Sequence, residues 1–206
     1  MLSKRLLEIS KYVDKDDSVL DVGCDHAYLS IYLKKNNLCK NVIASDIGEC
    51  ALEYAKNNIK KSRLNINTYV SDGLNNIDEY YDTVIIAGMG TSTILHILDC
   101  NDKPNKLIIS SHNEHYKLRK ELNKLGYKII NESIVYENNH YYPVMKCVKG
   151  NQRLANKYLK YGNSNNKEYY KYLYNKNREL LKKVNLKKKL SIYYELLMLK
   201  RMCKYM

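Results

Sequence analysis

Residues 18–27 read Ser18-Val19-Leu20-Asp21-Val22-Gly23-Cys24-Asp25-His26-Ala27, and this stretch decides the fold. An apolar run ends in an acid, a glycine and a polar turn, and a helical pattern follows over 28–35. That is the strand–turn–helix opening of an α/β unit. The alternation continues outward in both directions. Strands are predicted at 41–46, 66–70, 83–87 and 106–110, and helices at 3–13, 49–61, 93–99 and 115–125. Residues 128–136 and 141–148 read as a closing hairpin around Glu137-Asn138-Asn139-His140. Alternating strands and helices imply a mostly parallel sheet covered on both faces, here one domain over 1–150. Ligands of such sheets bind at the carboxyl ends of the strands. The polar punctuation falls there: Asp21 and Gly23, Asp46, Asp72, Gly88 and Gly90, then Ser111, His112 and Asn113.

The chain has 206 residues, 45% of them hydrophobic and 28% charged, which is a globular composition. No apolar run approaches the roughly 20 residues needed to span a bilayer. The opening MLSKRLLEIS has neither the apolar core nor the small-residue cleavage site of a secretory signal. The six cysteines are scattered with no C-x-x-C pair, which argues for reduced thiols and against a disulfide framework or metal site. A cytoplasmic protein without membrane or metal is expected.

The net charge of +13 is not spread evenly. Residues 1–149 hold 20 Lys and Arg against 19 Asp and Glu, whereas residues 150–206 hold 15 against 3. Coding bias toward lysine would act along the whole chain, so the basic tail reads as a footprint for a polyanion. It also carries helical periodicity. Tyr170, Leu173, Asn177, Leu180 and Val184 form one seam, and Ile192, Leu196, Leu199 and Cys203 another. Two such helices suit an intramolecular hairpin, turning near 184–189, within a basic coiled-coil domain over 151–206. Gly162-Asn163-Ser164-Asn165-Asn166 reads as the linker after a short helix at 152–161. A monomer is expected.

Three acids at successive strand ends point to a nucleoside cofactor. Gly23 permits close backbone approach, with Cys24 and His26 flanking the turn. Asp46, 25 residues after Asp21 and followed by Ile47, is placed to accept both hydroxyls of a ribose. Asp72, before Gly73, can accept from an adenine amino group. A dinucleotide would need a second glycine where this chain has Asp25, and a carboxylate repels a pyrophosphate. The set resembles the Rossmann-like S-adenosylmethionine-dependent methyltransferases, whose cofactor is cationic and carries no phosphate.

Three runs narrow the resemblance. Leu2-Ser3-Lys4-Arg5-Leu6, Asp25-His26-Ala27-Tyr28-Leu29 and Ile86-Ala87-Gly88-Met89-Gly90 are similar to those of the bacterial tRNA (adenine-N1)-methyltransferases that modify adenine at tRNA position 22. That family joins a Rossmann-like methyltransferase sheet to a C-terminal α-helical coiled coil. The resemblance implies S-adenosyl-L-methionine as cofactor and tRNA as partner. It departs at two places. Ser110-Ser111-His112-Asn113 stands where the family has Gln-Pro-Asn, and Thr91 stands where it has a further glycine.

Ring N1 of adenine carries a free lone pair, so the chemistry needs alignment rather than proton removal. N1 lies on the pairing edge, so the base must leave its stack. His112 and Asn113 are the candidates for the base pocket, with Asp25 stabilising the positive charge that develops. The Asn113 side-chain carbonyl is suited to accept from the adenine amino group. Gly88, Met89 and Gly90 would line the methyl-donor pocket. Lys4, Arg5 and Arg119 are candidates for phosphates near the pocket, and Lys182, Lys183, Lys187, Lys188 and Lys189 for phosphates at the hairpin tip. Residue chemistry alone leaves N6 of adenine and ring positions of guanine open. It also leaves open methylation of another RNA, and a non-catalytic RNA-binding protein with a degenerate cofactor site.

Overall fold

The computed structural model describes residues 2–204 and forms two units, one running to Arg153 and the other starting at Leu154. The first unit holds a seven-stranded sheet. Its strands are β1 (Ser18–Val22), β2 (Asn41–Asp46), β3 (Asn67–Val70), β4 (Thr83–Met89), β5 (Lys106–Ser111), β6 (Tyr127–Glu137) and β7 (His140–Lys149). Their order is β3-β2-β1-β4-β5-β7-β6. β1 to β5 run parallel, and β7 is antiparallel to both β5 and β6. The order reverses beside β1, which pairs with β2 on one side and β4 on the other. That reversal is the switch point at which open α/β sheets bind ligands.

Alternation along each strand divides the core between the two faces. Val19 and Ile85 pack on one face with Leu29 and Leu33 of α2 (Tyr28–Lys35) and with Leu52 and Ala55 of α3 (Glu49–Lys61). Leu20, Val84 and Ile86 pack on the other with Ile94 of α4 (Thr91–Ile97) and with Leu118 and Leu122 of α5 (His115–Lys124). Strands buried on both faces therefore read as continuous apolar runs.

Several boundaries differ from the sequence reading, the helix expected at 152–161 starting only at Asn156, and three of them have a clear local reason. The first helix, α1 (Lys4–Ser10), starts where the Ser3 hydroxyl accepts from Leu6 N at 3.3 Å. It ends earlier than expected, in a turn that buries Tyr12. β4 runs on past Ala87 because Gly88, at φ +80°, forms a bulge: Ala87 pairs with Ser110 and Met89 with Ser111. α4 begins at Thr91 because Asn113, from beyond β5, caps it across space.

The second unit contains α6 (Asn156–Tyr161), α7 (Lys167–Leu181) and α8 (Leu186–Lys204). α7 and α8 run antiparallel, as the Asn177–Glu195 hydrogen bond of 3.1 Å across the turn shows. Tyr170, Ile192, Leu196, Leu199 and Met202 are buried, while Leu180 is 46% exposed, so the seam opens toward the turn. That turn is short. Lys182 caps α7, and Asn185 Oδ1 accepts from Lys188 N at 3.3 Å to start α8. The Tyr170 hydroxyl secures the linker, accepting from Ser164 N and donating toward the Gly162 and Ser164 carbonyls, each at 3.2 Å. No helix among the described residues is long and apolar enough to cross a membrane.

Candidate active site

Asp46 ends β2 and organises the cleft. Its Oδ2 accepts from the Asp25 amide at 3.0 Å and its Oδ1 from the Gly48 amide at 2.9 Å. Both oxygens keep further lone pairs, held in one orientation. The Cys24 amide bonds the Ser45 carbonyl at 2.9 Å, so the loop after β1 is tied to the end of β2 twice. Gly23, at φ +69°, makes that loop possible. Asp25 and Ala27 also have positive φ, at 51° and 54°, a conformation that costs side-chain-bearing residues roughly 1–2 kcal/mol each. Strain of this kind persists where surrounding contacts over-determine it, and it clusters at ligand sites.

The Asp25 carboxylate is exposed, and the His26 Nε2 lies 3.7 Å from it. His26 stacks on Tyr28 and is tilted against Tyr54, with ring centroids 5.4 Å apart in both pairs. Ile47 is 67% exposed beside Asp46, an apolar surface fit to cover one face of a planar ring. Asp72 presents an exposed carboxylate at the end of β3, in a turn where Asn75 Nδ2 donates to the Asp72 carbonyl at 2.8 Å. A side chain at Gly73, itself at φ +68°, would stand 3.2 Å from Ile97.

Two cofactor candidates are placed otherwise than expected. The Asp21 carboxylate is buried beneath the loop and accepts from Ser30 Oγ at 2.6 Å. Burial pushes its pKa up to about 6 against the Ser30 hydrogen bonds, with a smaller upward push from Asp46. Its hydrogen bond ties β1 to Ser30 of α2. The Cys24 thiol is also buried, and burial followed by the nearby Asp21 and Asp46 raises it far above the ordinary thiol value.

At the ends of β4 and β5 a polar knot forms. Thr91 Oγ1 lies 2.9 Å from Ser111 Oγ and donates to the Asn113 carbonyl at 2.7 Å. Asn113 Oδ1 accepts from the Thr91 amide at 3.0 Å. The Asn113 oxygen expected to meet an adenine amino group thus caps α4, and Gly90, with Asn113 3.6 Å from the place of a Cβ, leaves room for it. His112 donates its amide to the Met89 carbonyl at 3.0 Å. Its Nε2 meets Arg5 Nη1 at 2.9 Å, and Arg5 lies over the Tyr142 ring, 4.8 Å from the centroid. Burial, then the Arg5 charge, lowers the His112 pKa. Tyr142 escaped the sequence reading. Its one signal was its place in the run Tyr141-Tyr142-Pro143 beside the predicted hairpin turn.

Arg119 is a correction. It is 1% exposed and its Nε donates to Glu132 Oε1 of β6 at 3.0 Å, so it cannot reach a phosphate. The signal was present: Arg119 shares one helix face with Leu118 and Leu122. Lys4 is exposed. In the second unit Lys182, Lys183, Lys187 and Lys188 are exposed and Lys189 is half-buried. Lys187 to Lys189 lie in the first turn of α8, which holds no acid. Cations there oppose the helix dipole, so local helix stability does not account for them. Among the described residues, no three His, Cys, Asp or Glu side chains come together to hold a metal ion.

Comparison with known proteins bears on this arrangement. Residues 2–145 match the family model of a methyltransferase domain. The tRNA (adenine(22)-N(1))-methyltransferase of Bacillus subtilis is 34% identical over 161 residues, covering 75% of this chain and 68% of that protein. The structure of M. capricolum TrmK in complex with S-adenosyl-homocysteine is similar with a TM-score of 0.84 and 32% identity, covering 99% of this chain and 98% of that one. The crystal structure of the B. subtilis m1A22 tRNA methyltransferase TrmK is similar with a TM-score of 0.80 and 25% identity, covering 98% and 99%.

Proposed function

This chain belongs to the tRNA (adenine(22)-N(1))-methyltransferase family, and on that premise we propose how its own residues carry out methylation of N1 of adenine 22 in tRNA. The cofactor is S-adenosyl-L-methionine, which supplies an electrophilic methyl group on a sulfonium. The observation that carries the reading is the Asp46 carboxylate, held by two backbone amides at the switch point beside Gly23.

Asp46 would accept from the ribose hydroxyls. Asp72 would accept from the adenine amino group of the cofactor, and Ile47 would cover that ring. The loop from Gly23 to His26 and the segment Gly88 to Gly90 would hold the methionine part. An acidic cleft of this kind suits a cation and disfavours a dinucleotide's pyrophosphate. Ring N1 of the target adenine offers its own lone pair for the methyl group, and the sulfonium would leave as a neutral thioether, so no general base is required. Catalysis is then alignment and electrostatics. The exposed Asp25 carboxylate stabilises the positive charge that appears on the methylated ring. Asn113 keeps α4 and the loop after β5 in register around the pocket.

Lys4 and Arg5 take phosphates near the cleft, and Lys182, Lys183, Lys187, Lys188 and Lys189 take phosphates elsewhere on the tRNA. Such contacts give salt-dependent affinity without base choice. A division at about residue 150 into a methyltransferase domain and a basic coiled coil is part of this reading, as are a cytoplasmic location and a monomeric state. The concentration of positive charge in the tail opposes self-association.

The test is nucleoside mass spectrometry on unmodified tRNA incubated with the protein and S-adenosyl-L-methionine. 1-Methyladenosine should form, and should vanish when adenine 22 is replaced. Methylation of a different nucleoside, or persistence after that replacement, would refute the reading.

A further inference from the structure

Arg5 is half-buried beside the β4 bulge: a Cβ on Gly88 would stand 3.9 Å from Arg5 Nη2. Among the described residues no carboxylate lies within ion-pair distance of its guanidinium. Its Nε is buried with no acceptor. A partly desolvated guanidinium without an acid is an open site for an anion. Its present neighbours are aromatic. The Arg5 guanidinium lies on the Tyr142 ring, and the His112 ring meets the same tyrosine at 5.6 Å in an edge-on arrangement.

The Arg5–His112 contact determines a protonation state. A guanidinium has donors only, so at 2.9 Å the His112 Nε2 must offer its lone pair and the proton must sit on Nδ1. We propose that His112 is a positioning residue, whose neutral imidazole holds the Arg5 guanidinium over Tyr142 so that Arg5 clamps the backbone phosphate of the target nucleotide. The inference rests on the reading of the substrate as tRNA and assigns a task to the segment that departs from the family pattern. Phosphate is the fitting ligand because methylation makes the adenine ring cationic, and a guanidinium against that ring would oppose the reaction. A long arginine side chain also loses rotamer freedom on binding, so a pre-ordered clamp binds at lower cost.

Protonation of His112 converts its acceptor to a donor and sets two cations against each other. Three further titratable groups face this pair. Glu137 of β6 meets the Arg5 backbone amide at 3.4 Å. His140 of β7 faces Tyr142 at 6.2 Å between centroids. His115 of α5 bonds the Ser111 carbonyl, and burial followed by the Arg119 charge lowers its own pKa.

The experiment measures tRNA affinity by fluorescence anisotropy between about pH 5 and about pH 8, where an imidazole titrates. It is run with wild type, His112→Gln, His112→Leu and Arg5→Gln, alongside cofactor affinity by calorimetry. Wild-type affinity should fall as the pH drops through the His112 pKa. His112→Gln retains an acceptor and should lose this acid limb. His112→Leu should bind tRNA about tenfold more weakly at pH 7.5, with cofactor affinity unchanged, and Arg5→Gln should match it. Nitrogen NMR of the His112 ring should show the Nδ1–H tautomer in wild type and a mixture in Arg5→Gln. An acid limb that survives in His112→Gln, or a tautomer indifferent to Arg5, would overturn the inference. These readouts need no turnover, so a failure to form 1-methyladenosine would refute the proposed reaction separately.

Discussion

The Asn113 side-chain oxygen and the Thr91 amide, 22 positions apart in sequence, meet at 3.0 Å. The loop after β5 therefore supplies the N-cap that α4 lacks, because Gly90 at the cap position has no side chain to offer. Replacing a capping oxygen costs about 1 kcal/mol. Asn113→Ala should lower the unfolding free energy by about that amount in urea titrations. It should also slow methylation by loosening the pocket. Unaltered stability would remove the capping role.

Asp46→Ala deletes the acceptor for the ribose hydroxyls and for the Asp25 and Gly48 amides together. Hydrogen bonds to charged groups are worth about 1.5–3 kcal/mol. S-adenosyl-L-methionine affinity should fall at least about tenfold in calorimetry. Asp46→Asn should fall between the two, since one oxygen remains to serve two amides.

Asp21 predicts an unusual pH dependence. Its pKa, pushed up to about 6 by burial, exceeds the unfolded value of 3.8. The folded state thus holds the proton to higher pH, and stability from this group is present below 3.8 and is lost as pH rises to about 6. The loss is on the order of 2–3 kcal/mol. Asp21→Asn keeps the acceptor for Ser30 and removes the titration. Its melting temperature should exceed that of wild type at pH 7.5, and the difference should close toward about pH 4. A constant difference would contradict the buried, strained carboxylate.

Arg119 and the tail lysines should separate cleanly. Arg119→Met removes the buried guanidinium that bonds the Glu132 carboxylate, a loss of roughly 3–5 kcal/mol. The effect should appear in thermal melts and not in the salt dependence of tRNA binding. Changing Lys187, Lys188 and Lys189 to Gln should leave the melt nearly unmoved. It should flatten the slope of log affinity against log salt by roughly 0.7–0.9 per lost phosphate contact.

The strands and helices were legible because burial on both faces writes itself as apolar runs, and because Gly23, Asp46 and Asp72 close those runs at the same end of the sheet. Asp46 could be read from its position alone, since the end of a second strand has one place in this topology. What was not legible depended on partners far away in sequence. Arg119 looked like a surface cation until β6 brought Glu132 to it. The capping role of Asn113 required knowing that the chain returns to α4. Tyr142 gains meaning only from Arg5, which arrives from the other end of the domain and lies over its ring. Asp21 lies one residue inside the end of β1, opposite Ala44 and not Asp46, so its side chain is covered and bonds Ser30 of α2.

The bulge at Gly88 leaves Met89 on the same face as Ile86, where β4 would also have put it had the chain been one residue shorter. The sheet therefore closes around Gly88 as if it were not there. Its peptide unit lies outside the ladder with β5, and hydrophobic packing gains nothing from a residue without a side chain. Folding and ligand binding draw on different residues within one short strand. A deletion at this point, ordinarily the most disruptive kind of change in a buried strand, would be a nearly silent edit for the architecture and a direct one for the cleft.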